Sequence, residues 1–375
     1  MALMEGMGVN VLIEDDYPRN DVLGSLRSAF ENDYLFTRFL AETSATIDTI
    51  VNMVAKSNVP TISHSSAQKK VIEGRAMLPY KQAGYKTIFI TAGNGMWRNV
   101  ANYLPVQGFD LVLDENSIMD AFPASKQYAA AWGLPDEYAF KLAKKLLDEA
   151  KEPLFIYLLT VTNHTPYKAP DSYSVKPIKV SEQLLTRMGE GEEQAAALLS
   201  TYQYAANSLG NFISSVKSSS LAKQTIIAAT GDHKIRGFTL KDPDDLALKN
   251  AVPFYLYIPQ PIKESVELRY DPKRVGSHKD IFPTLYAFSL SDASYTSLGG
   301  RNMLVEKDTF SFGFNPEVTL TDEGVFKNSQ PSKLYRWSGD TLLSTAITAS
   351  SNDQPNVGND YKQLATLYIH NQVTQ

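Results

Sequence analysis

The chain has 375 residues, of which 43% are hydrophobic and 21% charged, so it can bury a substantial core in one large domain or two ordinary ones. This composition excludes an intrinsically disordered protein. The net charge of −5 gives no indication of a basic surface that binds nucleic acid. The absence of cysteine excludes a disulfide scaffold, a thiolate metal site, a cysteine nucleophile and a cysteine-derived formylglycine.

Short apolar runs predict a set of buried strands. Residues 2–4, close to the start of the sequence, resemble the end of a strand whose beginning is missing. We therefore expect a further region upstream of residue 1. Continuous apolar runs of this kind are typical of parallel strands that are covered on both faces. The other predicted strands, in chain order, are 87–91, 111–113, 154–161, 225–230 and 252–258.

Helical patterns separate these strands. Residues 21–31 and 137–150 are predicted helices, and the clearest helix is 192–217, where apolar residues recur every three or four positions. The polar segment 165–191 is predicted to be a long loop. Strands that alternate with helices predict an α/β fold, with a doubly wound, mainly parallel sheet flanked by helices.

The pattern changes near residue 305. Short alternating segments follow at 310–314, 317–320 and 333–337, and a helix is predicted at 361–372. We therefore predict one large domain over 1–305 and a small β-rich α+β subdomain over 306–375.

Histidines cluster at the ends of predicted elements. His164 and His233 each follow a strand, and His278 opens a helix. Asp232 and His233 together offer a carboxylate and an imidazole, which suit Mn²⁺ or Zn²⁺, with Mg²⁺ as an alternative. The competing interpretation is a structural aspartate beside a surface histidine, and the dipeptide alone favours it.

Two further residues can join this pair. Glu5 follows the first strand segment and can reach the carboxyl edge of the sheet, although it can equally be a solvated loop residue. Thr46 stands before an apolar helical pattern, where it is either a helix cap or a hydroxyl nucleophile activated by a metal. The local spacing does not distinguish Thr46 from Ser44 or Thr49.

The loop 93–99 follows the strand 87–91 and contains Trp97 and Arg98. Arg98 can bind a phosphate group, and Trp97 can pack on a substrate. The alternative is that Trp97 belongs to the core.

Six of these segments occur in the order found in one family. The chain resembles the lipoteichoic acid synthase family, which includes periplasmic phosphoglycerol transferases and belongs to the sulfatase-like branch of the alkaline phosphatase superfamily. The resemblance spans residues 1–305. The matching segments are 4–8, 45–49, 93–99, 162–167, 231–233 and 279–285.

The resemblance implies a complete metal site. It assigns one divalent ion, first Mn²⁺ with Mg²⁺ or Zn²⁺ as alternatives, to Glu5, Thr46, Asp232 and His233. Thr46 is also implied as the nucleophile that attacks phosphorus.

The resemblance also implies the substrate contacts. His164 matches a catalytic histidine on the substrate side, while Trp97 and Arg98 match a substrate-binding loop. We add His278 to the substrate-binding residues. In this chain Arg98 precedes Asn99, whereas the family has the opposite order.

The implied reaction transfers a phosphoglycerol group. Its donor is an anionic phospholipid, phosphatidylglycerol, and its acceptor is a glycan or a glycerophosphate. A membrane-embedded upstream region and an extracytoplasmic location are expected from the same resemblance. Two alternatives stay open: a phosphodiesterase or sulfatase-like hydrolase of soluble esters, and a non-catalytic relative that binds lipid.

Overall fold

A computed structural model describes residues 1–305, 311–342, 344–349 and 356–374. The strands are β1 (Ala2–Met4), β2 (Tyr34–Phe36), β3 (Phe39–Leu40), β4 (Lys86–Thr91), β5 (Leu111–Leu113), β6 (Leu154–Leu159), β7 (Ile227–Gly231), β8 (Phe254–Tyr257), β9 (Gly276–Ser277), β10 (Gly313–Phe314), β11 (Val318–Leu320), β12 (Gly324–Lys327), β13 (Lys333–Trp337) and β14 (Ser344–Ala349). The α-helices are α1 (Val9–Leu12), α2 (Arg27–Asn32), α3 (Thr46–Ala55), α4 (Leu78–Gln82), α5 (Val100–Val106), α6 (Glu115–Ala121), α7 (Asp136–Glu149), α8 (Glu182–Met188), α9 (Glu192–Lys217), α10 (Gln260–Lys263), α11 (Ile281–Ser289) and α12 (Val357–Thr374).

The predicted α/β fold is confirmed. The described residues form a seven-stranded central sheet in the order β2-β8-β7-β1-β6-β4-β5. The strands β7, β1, β6, β4 and β5 run parallel, whereas β8 is antiparallel to both β7 and β2. The sheet is therefore mainly parallel, and β8, next to the edge strand β2, runs in the opposite direction to its neighbours.

Alternate residues of the central strands face opposite cores. Leu3 of β1 belongs to one buried cluster, and its neighbours Ala2 and Met4 belong to a second cluster on the other face. In β4, Phe89 joins the first cluster and Ile90 the second. Because both faces are apolar, helices cover both, as a doubly wound fold requires.

The predicted helices 137–150 and 361–372 correspond to α7 and to the longer α12, and two other regions differ more from the predictions. Helix 192–217 has the predicted bounds, but the predicted helix 21–31 begins later, as a 3₁₀ turn at Gly24–Leu26 followed by α2. The predicted loop 165–191 contains the short helix α8, which Ser181 caps by accepting a hydrogen bond from Leu184 N. None of the helices in the described ranges is both long and apolar enough to cross a bilayer.

The C-terminal region forms a second sheet. Strands β10 to β14 are antiparallel neighbours, and they include the predicted segments 317–320 and 333–337. The predicted segment 310–314 begins at Phe310, which lies outside the described residues. Val318 and Leu320 share a buried cluster with Leu248. The β-rich character is thus confirmed, while the boundary at residue 305 stays a prediction.

Candidate metal centre and active site

Three side chains of the types that ligate metals meet at the carboxyl edge of the sheet. Glu5 follows β1, and Asp232 and His233 follow β7. Since β1 and β7 pair in parallel with Met4 opposite Gly231, both strands end at the same level. One ligand atom from each of Glu5, Asp232 and His233 lies within 4.8 Å of the others, and all three residues are buried.

The two oxygens of Asp232 have different surroundings. Oδ1 accepts hydrogen bonds from the backbone N–H groups of Gly6 (2.8 Å) and His233 (2.7 Å). Oδ2 is buried, lies 3.4 Å from His233 Nε2, and has no hydrogen-bond partner among the described residues. A buried carboxylate oxygen without a partner is costly, and a bound cation removes this cost.

His233 presents one nitrogen to this cluster. Its Nδ1 lies 2.6 Å from the Lys234 carbonyl, which can only accept, so Nδ1–H donates. Nε2 then carries the lone pair, and it lies 3.6 Å from Glu5 Oε1. A histidine held by a backbone carbonyl in this way has the tautomer that a metal ligand needs.

Glu5 is held where its charge is unfavourable without a cation. Burial raises the pKa of Glu5 well above its usual value, and the nearby charge of Asp232 raises it further. Thr160 Oγ1 accepts from Glu5 N at 2.8 Å, and Asn163 Nδ2 donates to Glu5 O at 3.2 Å. Two buried carboxylates beside an imidazole therefore form a donor set that fits one divalent ion.

Thr46 is the hydroxyl that reaches this cluster. The N-cap of α3 is Ala45, so Thr46 is the first helical residue. Its Oγ1 donates to Glu5 Oε2 at 3.1 Å and lies 3.5 Å from His233 Nε2. Of the other candidates, Ser44 is exposed, and Thr49 Oγ1 donates to the Asp232 carbonyl at 2.9 Å.

His164 lies on the loop after β6 and packs against Trp132. The two ring centroids are 3.9 Å apart, and His164 Nδ1 lies 2.8 Å from the carbonyl of Thr165. Trp132 Nε1 donates to the same carbonyl at 2.8 Å. Sequence reasoning missed Trp132, since it stands in a loop without periodicity. The catalytic role of its neighbour His164 stays a prediction.

Trp97 and Arg98 lie on the exposed loop after β4. Trp97 is exposed, which excludes the alternative that it is a core residue. Arg98 has a φ of 49°, and its carbonyl accepts a hydrogen bond from Ser63 Oγ at 2.8 Å. No described hydrogen bond or ion pair brings either side chain to the metal-ligating cluster, so their contact with substrate stays a prediction.

His278 supports the cluster from inside the protein. It is buried, Nε2 donates to the Gly231 carbonyl (2.9 Å), and Nδ1 accepts from Glu42 N (3.2 Å). Burial lowers its pKa to about 3, so the ring stays neutral. This placement fits a residue that positions the end of β7 better than one that contacts substrate.

Arg236 is a cation near the site that sequence reasoning missed. It is exposed, and its Nη2 donates to the Ser44 carbonyl at 3.2 Å, two residues before Thr46. Its charge lowers the pKa of Glu5, against the larger effect of burial. Its position three residues after His233 was the available signal.

The family model described as Sulfatase matches residues 3–288, and the chain therefore belongs to this family. The predicted sulfatase-like identity is confirmed by this match.

Two curated relatives carry more specific names. The chain is 24% identical over 213 residues to the lipoteichoic acid synthase-like YvgJ of Bacillus subtilis (strain 168), a match that covers 54% of this chain and 32% of the relative. It is 24% identical over 289 residues to phosphoglycerol transferase I of Xanthomonas euvesicatoria pv. vesicatoria (strain 85-10), covering 74% of this chain and 38% of the relative. The chain thus spans about a third of the length of these relatives.

A solved structure shows the same fold. The lipoteichoic acid synthase LtaP from Listeria monocytogenes superposes with a TM-score of 0.74 at 16% sequence identity. The superposition covers 99% of this chain and 91% of the other.

Proposed function

We propose that the chain is the catalytic domain of a metal-dependent phosphoglycerol transferase. It moves the glycerophosphate head group of phosphatidylglycerol, through a covalent intermediate on Thr46, to a glycan or glycerophosphate acceptor. The observation that carries this proposal is the contact of Thr46 Oγ1 with Glu5 Oε2 beside His233 Nε2. The names of the relatives support the choice of the transferred group.

Glu5, Thr46, Asp232 and His233 would hold one divalent ion. The unpartnered Oδ2 of Asp232 and the mixed oxygen and nitrogen donors fit Mn²⁺, with Mg²⁺ or Zn²⁺ as alternatives. When bound, such an ion lowers the pKa of a coordinated hydroxyl and offsets the negative charge of a phosphodiester.

The residues of the chain account for the group transfer. The Thr46 hydroxyl already donates to Glu5 Oε2, so its proton has an acceptor as Oγ1 bonds to phosphorus. The bond between phosphorus and the diacylglycerol oxygen breaks in the same step, and His164 supplies the proton to that oxygen. The acceptor hydroxyl then displaces Thr46 from phosphorus and gives its proton to His164, while Thr46 Oγ1 takes back the proton held by Glu5.

The exposed loop after β4 supplies the head-group contacts in this proposal. Trp97 packs on the glycerol, and Arg98 pairs with the phosphate. Because the donor is a lipid, we place the domain outside the cytoplasm, at a membrane reached through a region beyond this chain.

The test uses the purified chain with Mn²⁺ and fluorescent phosphatidylglycerol in detergent micelles. We expect release of diacylglycerol and a glycerophosphate mass on the peptide that contains Thr46. In T46A both signals should vanish, with a rate loss of at least about 10³-fold, because the residue forms the covalent bond. S44A is the matched control, since it removes a neighbouring exposed hydroxyl.

Three results would contradict the proposal. A T46A variant that releases diacylglycerol at the wild-type rate excludes the threonine intermediate. Turnover of a soluble chromogenic phosphodiester without turnover of the lipid indicates the hydrolase. Lipid binding without any turnover of the metal-loaded chain indicates a non-catalytic relative.

A further inference from the structure

A small cavity lies against His278. It has a volume of about 20 Å³, which is room for one particle the size of a water molecule. Its apolar wall includes Met53, Phe282 and Leu298. Its polar wall is formed by Asn52, Lys56, Lys279, Ser297 and Tyr361.

The two lysines of this cavity differ in their partners. The Lys279 ammonium pairs with Glu42 and lies 4.1 Å from the ring centroid of Tyr361. Lys56 has no hydrogen bond or ion pair to its ammonium within the described parts of the chain. The charge of Lys279 is therefore balanced inside the protein, and the charge of Lys56 is not.

Lys56 is held in this position by the backbone. It follows the last residue of α3 with a φ of 55°, and its N–H donates to the Asn52 carbonyl at 2.7 Å. The residue is only 9% exposed. Burial lowers the pKa of Lys56 to about 8, so the side chain is still mostly protonated at neutral pH.

A largely buried ammonium without a protein partner is unfavourable, and an anion in contact with it reduces the cost. The other polar groups limit what that anion can be. Both N–H groups of the Asn52 amide are engaged, by Glu42 Oε1 (3.1 Å) and the Tyr361 hydroxyl (2.8 Å), whereas Ser297 is a lining residue that carries a further hydroxyl. The volume fits a single spherical ion, and a tetrahedral oxyanion such as phosphate needs more space.

We propose that this cavity binds one halide ion, chloride under physiological conditions, through the Lys56 ammonium and the Ser297 hydroxyl. The ion lies between the end of α3, the helix that begins with Thr46, and Tyr361 of α12. It stabilises the packing of these two helices. This site is separate from the phosphate chemistry proposed above and does not depend on it.

The direct test is anomalous diffraction from crystals of the full chain grown in sodium bromide. We expect one bromide peak in contact with Lys56 Nζ. The second measurement is the melting temperature in chloride, bromide and gluconate at equal ionic strength. Halide should raise it by about 2 °C over gluconate, since a ligand that binds only the folded state stabilises it.

Variants assign the effect to Lys56. The halide-dependent rise should be lost in K56M and kept in K69M, which removes a lysine from the exposed surface. A rise that persists in K56M would overturn the proposal, as would wild-type crystals without a bromide peak at this position. If K56M does not fold, the bromide peak and the wild-type melting temperatures decide the question.

Discussion

Asp232 serves the fold through one oxygen and leaves the other for the proposed metal ion. Oδ1 closes the turn after β7 by accepting from Gly6 N and His233 N. Oδ2 is left buried and without a hydrogen bond. The sequence could predict that Asp232 and His233 lie at a strand end, because an apolar run stops there. It could not predict that Oδ1 accepts backbone hydrogen bonds while Oδ2 has no partner, because Gly6 is distant along the chain.

The sequence alone could not single out Thr46 as the hydroxyl residue that faces Glu5. Three hydroxyl residues stand close together, and only the rotation of α3 decides which one faces Glu5. That rotation is set by the tertiary packing of Ile47, Ile50 and Val51 in the core. The resemblance to a family identified Thr46; the local pattern did not.

Asp136 gives a pH-dependent prediction. It lies in the first turn of α7, where Oδ1 accepts from Val161 N (2.8 Å) and Thr162 N (3.1 Å) and Oδ2 has no described partner. Burial raises its pKa from 3.8 to about 6. The folded state therefore binds this proton more tightly than the unfolded state, so the carboxylate destabilises the protein above about pH 6. The cost disappears as the pH falls to about 4, where the unfolded chain is also protonated.

We therefore expect the stability of the wild type relative to D136N to fall by about 3 kcal/mol as the pH rises from about 4 to 7.5, because only the wild type carries the titrating carboxyl. Urea unfolding at both pH values measures the difference. D120N, at an exposed position on α6, is the control and should show no such difference. A stability difference between D136N and the wild type that is the same at both pH values contradicts the burial argument.

Helix α9 carries the strongest prediction among the elements. Its apolar stripe was visible in the sequence, and the helix packs closely on the turn Gly24–Leu26. A Cβ on Gly210 would lie 2.3 Å from Ser25 C and Leu26 N. Both are backbone atoms, which cannot move away as a flexible side chain can. The close approach of helix and turn therefore requires glycine.

G210A should destabilise the protein by about 2 kcal/mol, because the clash outweighs the better helix propensity of alanine. Chemical unfolding measures the change, and S214A on the exposed side of the same helix should be close to neutral. If G210A is as stable as the wild type or more stable, helix propensity dominates. The close approach of α9 to the turn Gly24–Leu26 then does not require glycine.

The elements that escaped prediction are short or change direction. Strands β2, β3 and β9 have two or three residues, which is too few for an apolar run to be recognised. The strand 252–258 was predicted, but its antiparallel direction was not, because no helix lies between β7 and β8 to indicate how the chain returns. Periodicity shows that a strand exists, while its direction depends on the connection.

The whole molecule brings distant residues together through the position of β1. This strand lies between β6 and β7, so Glu5, His164 and Asp232 all follow neighbouring strands of one sheet. The fold class could be predicted because buried parallel strands and amphipathic helices leave local patterns. The strand order leaves none, and only the order of six family motifs indicated that these residues converge.

Metal analysis of the purified chain shows directly whether Glu5, Thr46, Asp232 and His233 hold one divalent ion. After saturation with Mn²⁺ and gel filtration, the wild type should retain about one ion per chain, since its ligands are buried and pre-assembled. D232A should retain none while keeping its circular dichroism spectrum, and D120A should retain the ion. A wild type without a stoichiometric ion, or a D232A variant with the same ion content, would contradict the account.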